Sequence, residues 1–138
     1  SVNSRKYSID VAKHLSDKTG LKVIELNPHP KSWNSGFQKL YGSGPREFLG
    51  YILNAEYVVS NSFHGTVFSI LFQKKFYSVY KENGRISNLL TFLNLESRHI
   101  KAENEIDDTE VIDYHSVADR LCSYRSQSVD YLKKGIEQ

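Results

Sequence analysis

A parallel β-sheet covered by helices on both faces is the fold class that this 138-residue sequence predicts. Two observations carry it. Short β-branched or aromatic runs alternate with longer stretches of helical apolar spacing, the pattern of βαβ units. At the centre of the chain, residues 57–76 compress that pattern into one strand, one tight loop and one helix. The right-handed crossover rule then gives a Rossmann-like three-layer αβα domain. Ligands in such sheets bind beyond the carboxyl ends of the strands.

In chain order, residues 4–18 place Ile9, Ala12 and either His14 or Leu15 on one face of an amphipathic helix, which Gly20 ends. Residues 22–26 read as a short strand. Pro28 and Pro30 force the chain out of it. Residues 31–43 read as a loop carrying Trp33, Phe37 and Tyr41, a set suited to core packing, sugar stacking or an inter-domain surface. Gly44 and Pro45 open a second helix. Glu47 suits its first turn, and Phe48, Leu49, Ile52 and Leu53 form its apolar face.

Tyr57, Val58 and Val59 then give a buried strand, residues 60–65 a polar turn, and residues 66–72 a helix with Val67, Ile70 and Leu71 aligned. Residues 76–80 form another strand. Residues 85–93 form a helix with Ile86, Leu89, Leu90 and Leu93 inward, and residues 98–101 a brief strand. Residues 102–110 are an acidic loop. Asp113 caps a last helix with Val117, Leu121, Tyr124 and Ser128 on one side.

Composition narrows the function classes. The 39% hydrophobic and 25% charged residues are ordinary for a globular domain, and one domain is the default at this length. A net charge of +2 with scattered basic residues argues against nucleic acid as a partner. No apolar run reaches membrane-spanning length. The lone Cys122 fits a reducing, cytoplasmic setting and a structural role. His14, His29, His99 and His115 lack ligand spacing, so no metal is expected.

The chemistry concentrates at the loop before the central helix. The first amides of a helix lack intrahelical partners and carry partial positive charge, which suits phosphate or carboxylate. Gly65 would let a ligand approach closely. His64 stands at the lip and can change protonation near neutral pH. Alone, His64 is more readily a core histidine bonded to the loop. Ser62 and Thr66 are first of all helix caps, a role compatible with ligand contact. Arg85 sits at a helix start where its charge opposes the dipole, so it is either solvated or an anion partner. For Glu47, the dipole accounts for its place better than catalysis does.

Residues 44–80, GPREFLGYILNAEYVVSNSFHGTVFSILFQKKFYSVY, resemble the polysaccharide pyruvyl transferase family. The resemblance continues through Arg85–Ile86, Leu89–Leu90, Ser97–Arg98, residues 112–114 and residues 128–132. It implies transfer of a pyruvyl group from phosphoenolpyruvate to sugar hydroxyls of a bacterial-type surface polysaccharide, as in exopolysaccharide biosynthesis, with no cofactor. Family members look like two Rossmann-like halves facing a cleft, similar to the GT-B architecture. Only the C-terminal half is matched, so residues 1–138 are expected to be an excised half whose active site needs the missing N-terminal half. On this resemblance His64 is the acid or base, and Asn61, Ser62, Phe63, Gly65, Thr66 and Arg85 bind substrate. The Gly65 and Thr66 amides and Arg85 would hold the donor's negative charge. Peripheral association with a membrane-bound glycan precursor fits the same scheme. Two alternatives stay open. One is the donor half of a GT-B glycosyltransferase that binds a nucleotide sugar, and the other is a non-catalytic binding domain of the same fold.

Overall fold

The structure is a computed structural model that describes residues 2–26, 36–101, 106 and 110–123. Helix α1 (Val2–Thr19) comes first, followed by strands β1 (Ile24–Leu26) and β2 (Gln38–Leu40). Then come α2 (Pro45–Asn54), β3 (Tyr57–Ser60), α3 (Phe63–Leu71), β4 (Lys75–Ser78) and α4 (Gly84–Phe92). A single 3₁₀ turn (Glu96–Arg98) precedes a last helix, α5, over residues 114–123. The architecture is Rossmann-like αβα, as the alternation predicts.

The strands form two parallel pairs. β1 pairs β2 with Ile24 opposite Gln38, and β3 pairs β4 with Val58 opposite Phe76. His99 adds one parallel bridge beside Ser78, so the strand expected at residues 98–101 is reduced to that bridge. β2 lies inside the stretch expected to be loop. Its three residues include two polar ones, too few for a period of two to show. Gly36 and Gly42, both at positive φ, flank it. Trp33 lies outside the described residues.

Side-chain alternation along β3 and β4 divides the core into two layers. Val58, Phe76 and Tyr80 face the layer built by Ile70, Ile86, Leu90, Leu93 and Val117. Tyr57, Val59, Tyr77 and Val79 face α1, where Val11 and Leu15 meet them. Val11, absent from the expected α1 face, is fully buried, while Ala12 and His14 are only partly so. Burying one Ile or Leu side chain contributes about 1.5–3 kcal/mol, so Ile86, Leu90 and Leu93 anchor α4 strongly. Leu53 departs from its expected inward place and is 54% exposed, because Ile52 takes the buried position on α2.

Local signals place the helix ends. Gly20, at φ +73°, closes α1 and donates its N–H to the Ser16 carbonyl at 2.8 Å. Pro45 occupies the first turn of α2, and the Glu47 carboxylate folds back over Gly44. Asp113 Oδ1 accepts the Ser116 N–H at 3.2 Å and caps α5. Tyr124 and Ser128 lie outside the described residues. Arg98 is buried and donates from Nε to the Phe76 carbonyl at 2.8 Å. Its guanidinium carbon lies 4.3 Å from the Tyr77 ring centroid.

Candidate functional site

β3 and β4 are parallel, so the loops after Ser60 and Ser78 leave the same end of the sheet. Those loops lead into α3 and α4. Of the expected site residues, Asn61 and Ser62 form the first loop, Phe63 to Thr66 the first turn of α3, and Arg85 lies in the first turn of α4.

α3 starts at Phe63, three residues earlier than the apolar spacing predicts. The early start follows from Ser62, whose extended backbone (φ −118°, ψ 153°) and hydroxyl cap the helix. Ser62 Oγ accepts the Gly65 N–H at 3.0 Å. The Thr66 N–H bonds the Ser62 carbonyl at 3.1 Å, and the Thr66 hydroxyl donates to the same carbonyl at 2.9 Å. That hydroxyl has one hydrogen, so Ser78 Oγ, 2.9 Å away, is the donor in their contact. Ser60 Oγ accepts the Ser62 N–H at 3.1 Å and donates to the Ser62 carbonyl at 3.2 Å. Four hydroxyls thus lock the loop to both strands.

The network changes the expected division of labour. The Gly65 and Thr66 amides are bonded within the protein. The open amides at this helix start are those of Phe63 and His64, which have no hydrogen-bond partner among the described residues. Gly65 also has a different reason to be glycine. A Cβ there would lie 2.3 Å from Ser60 Oγ and 3.1 Å from Ser60 Cβ. The place where a side chain at Gly65 would point is filled by Ser60.

Three expected residues come together outside the loop. Phe63 is half-buried against the α3–α4 core layer. The His64 ring meets it edge to face, with centroids 6.0 Å apart at 79°. The Arg85 guanidinium lies over its face, 4.1 Å from the centroid. His64, Arg85, Asn61 and Ser62 are exposed. Asn83 caps α4, its Oδ1 accepting the N–H groups of Arg85 at 3.1 Å and Ile86 at 3.2 Å. A cation is therefore held on an aromatic platform beside an imidazole and two open amides. Such an arrangement suits a ligand with more than one negative group.

Other titratable groups serve the fold. His99 stacks on Tyr80 with centroids 3.8 Å apart, and its Nε2 meets the Tyr80 carbonyl at 2.9 Å. Burial pushes the Tyr80 phenol above its ordinary pKa, against the pull of a hydrogen bond with Ser87. Tyr114 donates to the Lys74 carbonyl, and burial raises its pKa further, opposed by the charge of Arg98. Among the described residues no three metal-ligating side chains cluster. No described helix is long and apolar enough to cross a membrane. Cys122 is exposed.

A family model for the polysaccharide pyruvyl transferases matches residues 2–83, more than half of the chain. The chain belongs to the polysaccharide pyruvyl transferase family. The matched span takes in α1 and runs through Phe63, His64 and the α4 cap Asn83. Arg85 and the sequence blocks from residue 85 to residue 132 lie beyond it. Neither a curated relative nor a solved structure shows significant similarity to the chain. Two residues of this candidate site, Ser60 and Ser78, are not among those expected from the sequence. A serine at the last position of each strand is the local signal for both.

Proposed function

We propose that this chain is the C-terminal Rossmann-like domain of an enzyme that transfers the pyruvyl group of phosphoenolpyruvate to sugar hydroxyls of a surface polysaccharide or its precursor. Family membership supports the reaction class. The observation that carries the site assignment is the convergence of Phe63, His64 and Arg85 beside two open helix amides.

In this reading the donor's phosphate and carboxylate lie against Arg85 and the Phe63 and His64 amides. A sugar hydroxyl adds to C2 of the enol and loses its proton, C3 takes a proton, and phosphate then leaves. A second hydroxyl of the same sugar closes the ketal. His64 holds or moves one of these protons, and Arg85 balances the charge gathering on the phosphate. Ser62, Gly65 and Thr66 fix the loop that presents them, and the exposed Asn61 lies within reach of a ligand bound there. A facing N-terminal half in the GT-B manner would supply the second wall of the cleft. It would exclude water and orient the acceptor, so residues 1–138 alone are not expected to turn over. The reaction fits the cytoplasmic face of a membrane carrying the glycan precursor.

A donor titration tests this reading. Phosphoenolpyruvate added to the full-length protein should shift the Phe63 and His64 amide resonances first. A nucleotide sugar shifting them instead would favour a GT-B glycosyltransferase. A response to neither donor would favour a non-catalytic binding domain.

A further inference from the structure

The two strand pairs leave an unfilled place between them. β1 bonds only β2 among the described strands, and β3 bonds only β4. β1 and β3 line one shared cavity of about 940 Å³. Ile9, Ala12 and Leu15 of α1 line it from one side, and Phe48, Tyr51 and Ile52 of α2 from another. These helices belong to opposite layers. α1 packs on the Tyr77–Val79 face of the sheet, whereas α2 joins α3 through the edge-to-face contact of Phe48 and Phe68. The space is thus bounded by a strand on each side and an apolar helix on each face.

Two-stranded parallel sheets are rarely stable alone, and parallel strands are normally buried on both faces. A doubly wound sheet runs outward from a central strand, in the order 3-2-1-4-5. The observed pairs supply β2-β1 on one side and β3-β4 on the other, with the centre vacant. α1 passes through the Gly20 turn into β1. A right-handed βαβ crossover through α1 requires the strand before it to lie beside β1, which is where the cavity is.

We infer that the cavity holds one further parallel strand, supplied in cis by a segment N-terminal to α1, which joins the two pairs into a single five-stranded sheet. β3 and β4 are four residues each, which sets the strand's length. With helices above and below, its residues are apolar throughout rather than alternating. The strand belongs to this domain and is independent of any facing half.

The probe is an N-terminal extension of residues 1–138: a four-residue Val-Ile-Tyr-Val strand, matching β3 and β4, followed by an Asp-Ser loop. A control carries proline at the second and fourth strand positions. Amide hydrogen exchange is read at residues 24–26 and 57–60, with mass by sedimentation. The inference predicts at least tenfold slower exchange on both β1 and β3 in a monomer, with no slowing in the proline control. If the unextended chain does not fold, folding gained by the first extension alone supports it equally. Several results would overturn it. These are no slowing on either strand, slowing shared by the control, direct β1–β3 pairing in the unextended chain, a strand-exchanged dimer, or failure of both extensions to fold.

Discussion

Arg85 lies across the face of Phe63, with its guanidinium carbon 4.1 Å from the ring centroid. An exposed contact of this kind contributes about 0.5–1 kcal/mol. That offsets part of the roughly 2 kcal/mol of rotamer entropy that an arginine side chain loses on being fixed, and so biases Arg85 towards this position. In the full-length enzyme, Phe63→Leu should raise KM for phosphoenolpyruvate about 2–5-fold with kcat little changed. Arg85→Ala should raise KM about 10-fold or more, the scale of a lost charged hydrogen bond. Steady-state kinetics checks both, and an unchanged KM in the two variants would contradict the pairing.

Gly65 faces Ser60 with no room for a side chain. Gly65→Ala should destabilise the fold by about 1–3 kcal/mol, the usual cost of overpacking. Adding Ser60→Gly should restore part of the loss, since it removes the Ser60 atoms that the new methyl meets and leaves only Ser62 Oγ, at 3.0 Å. Thermal or urea unfolding of the single and double variants measures the coupling. Equal destabilisation in both would place the strain elsewhere.

The sequence made the layers legible and the loop chemistry much less so. Val58 and Phe76 sit in runs whose composition marks them as strand, and the periodicity of Ile86, Leu90 and Leu93 fixes the buried face of α4. β2 was hidden because Gln38 and Lys39 are polar and three residues cannot display a period. The α3 start was misplaced because apolar spacing begins at Val67, while the cap at Ser62 acts through hydrogen bonds that spacing does not record. Gly65 illustrates the limit best. Its sequence setting suggests close ligand approach, and only the position of Ser60 reveals a contact inside the protein.

Tyr114 gives the fold an alkaline limit. Its phenol donates to the Lys74 carbonyl, and burial raises its folded-state pKa above the unfolded value near 10. The folded state therefore holds this proton more tightly than the unfolded state does. Its stabilising effect is complete below pH 10 and is lost as pH rises beyond it. Tyr114→Phe should cost about 1 kcal/mol at neutral pH from the lost hydrogen bond, and should flatten the decline of stability above pH 10. Urea midpoints from pH 7 to 11 test this. An identical alkaline slope in the variant would assign the effect to another group, with Tyr80 the next candidate.

His64 carries the central claim, and its exposed position outside both core layers separates catalysis from folding. The most direct measurement is phosphate release from phosphoenolpyruvate by the full-length enzyme with a sugar acceptor, comparing wild type with His64→Ala and His64→Gln. Melting curves of each variant accompany the kinetics. Loss of a positioned acid or base should lower kcat by roughly 10² or more in both variants, with melting unchanged. Substantial activity in His64→Gln alone would reduce the imidazole to a hydrogen-bond donor. A folded His64→Ala enzyme with near-normal turnover would contradict the account.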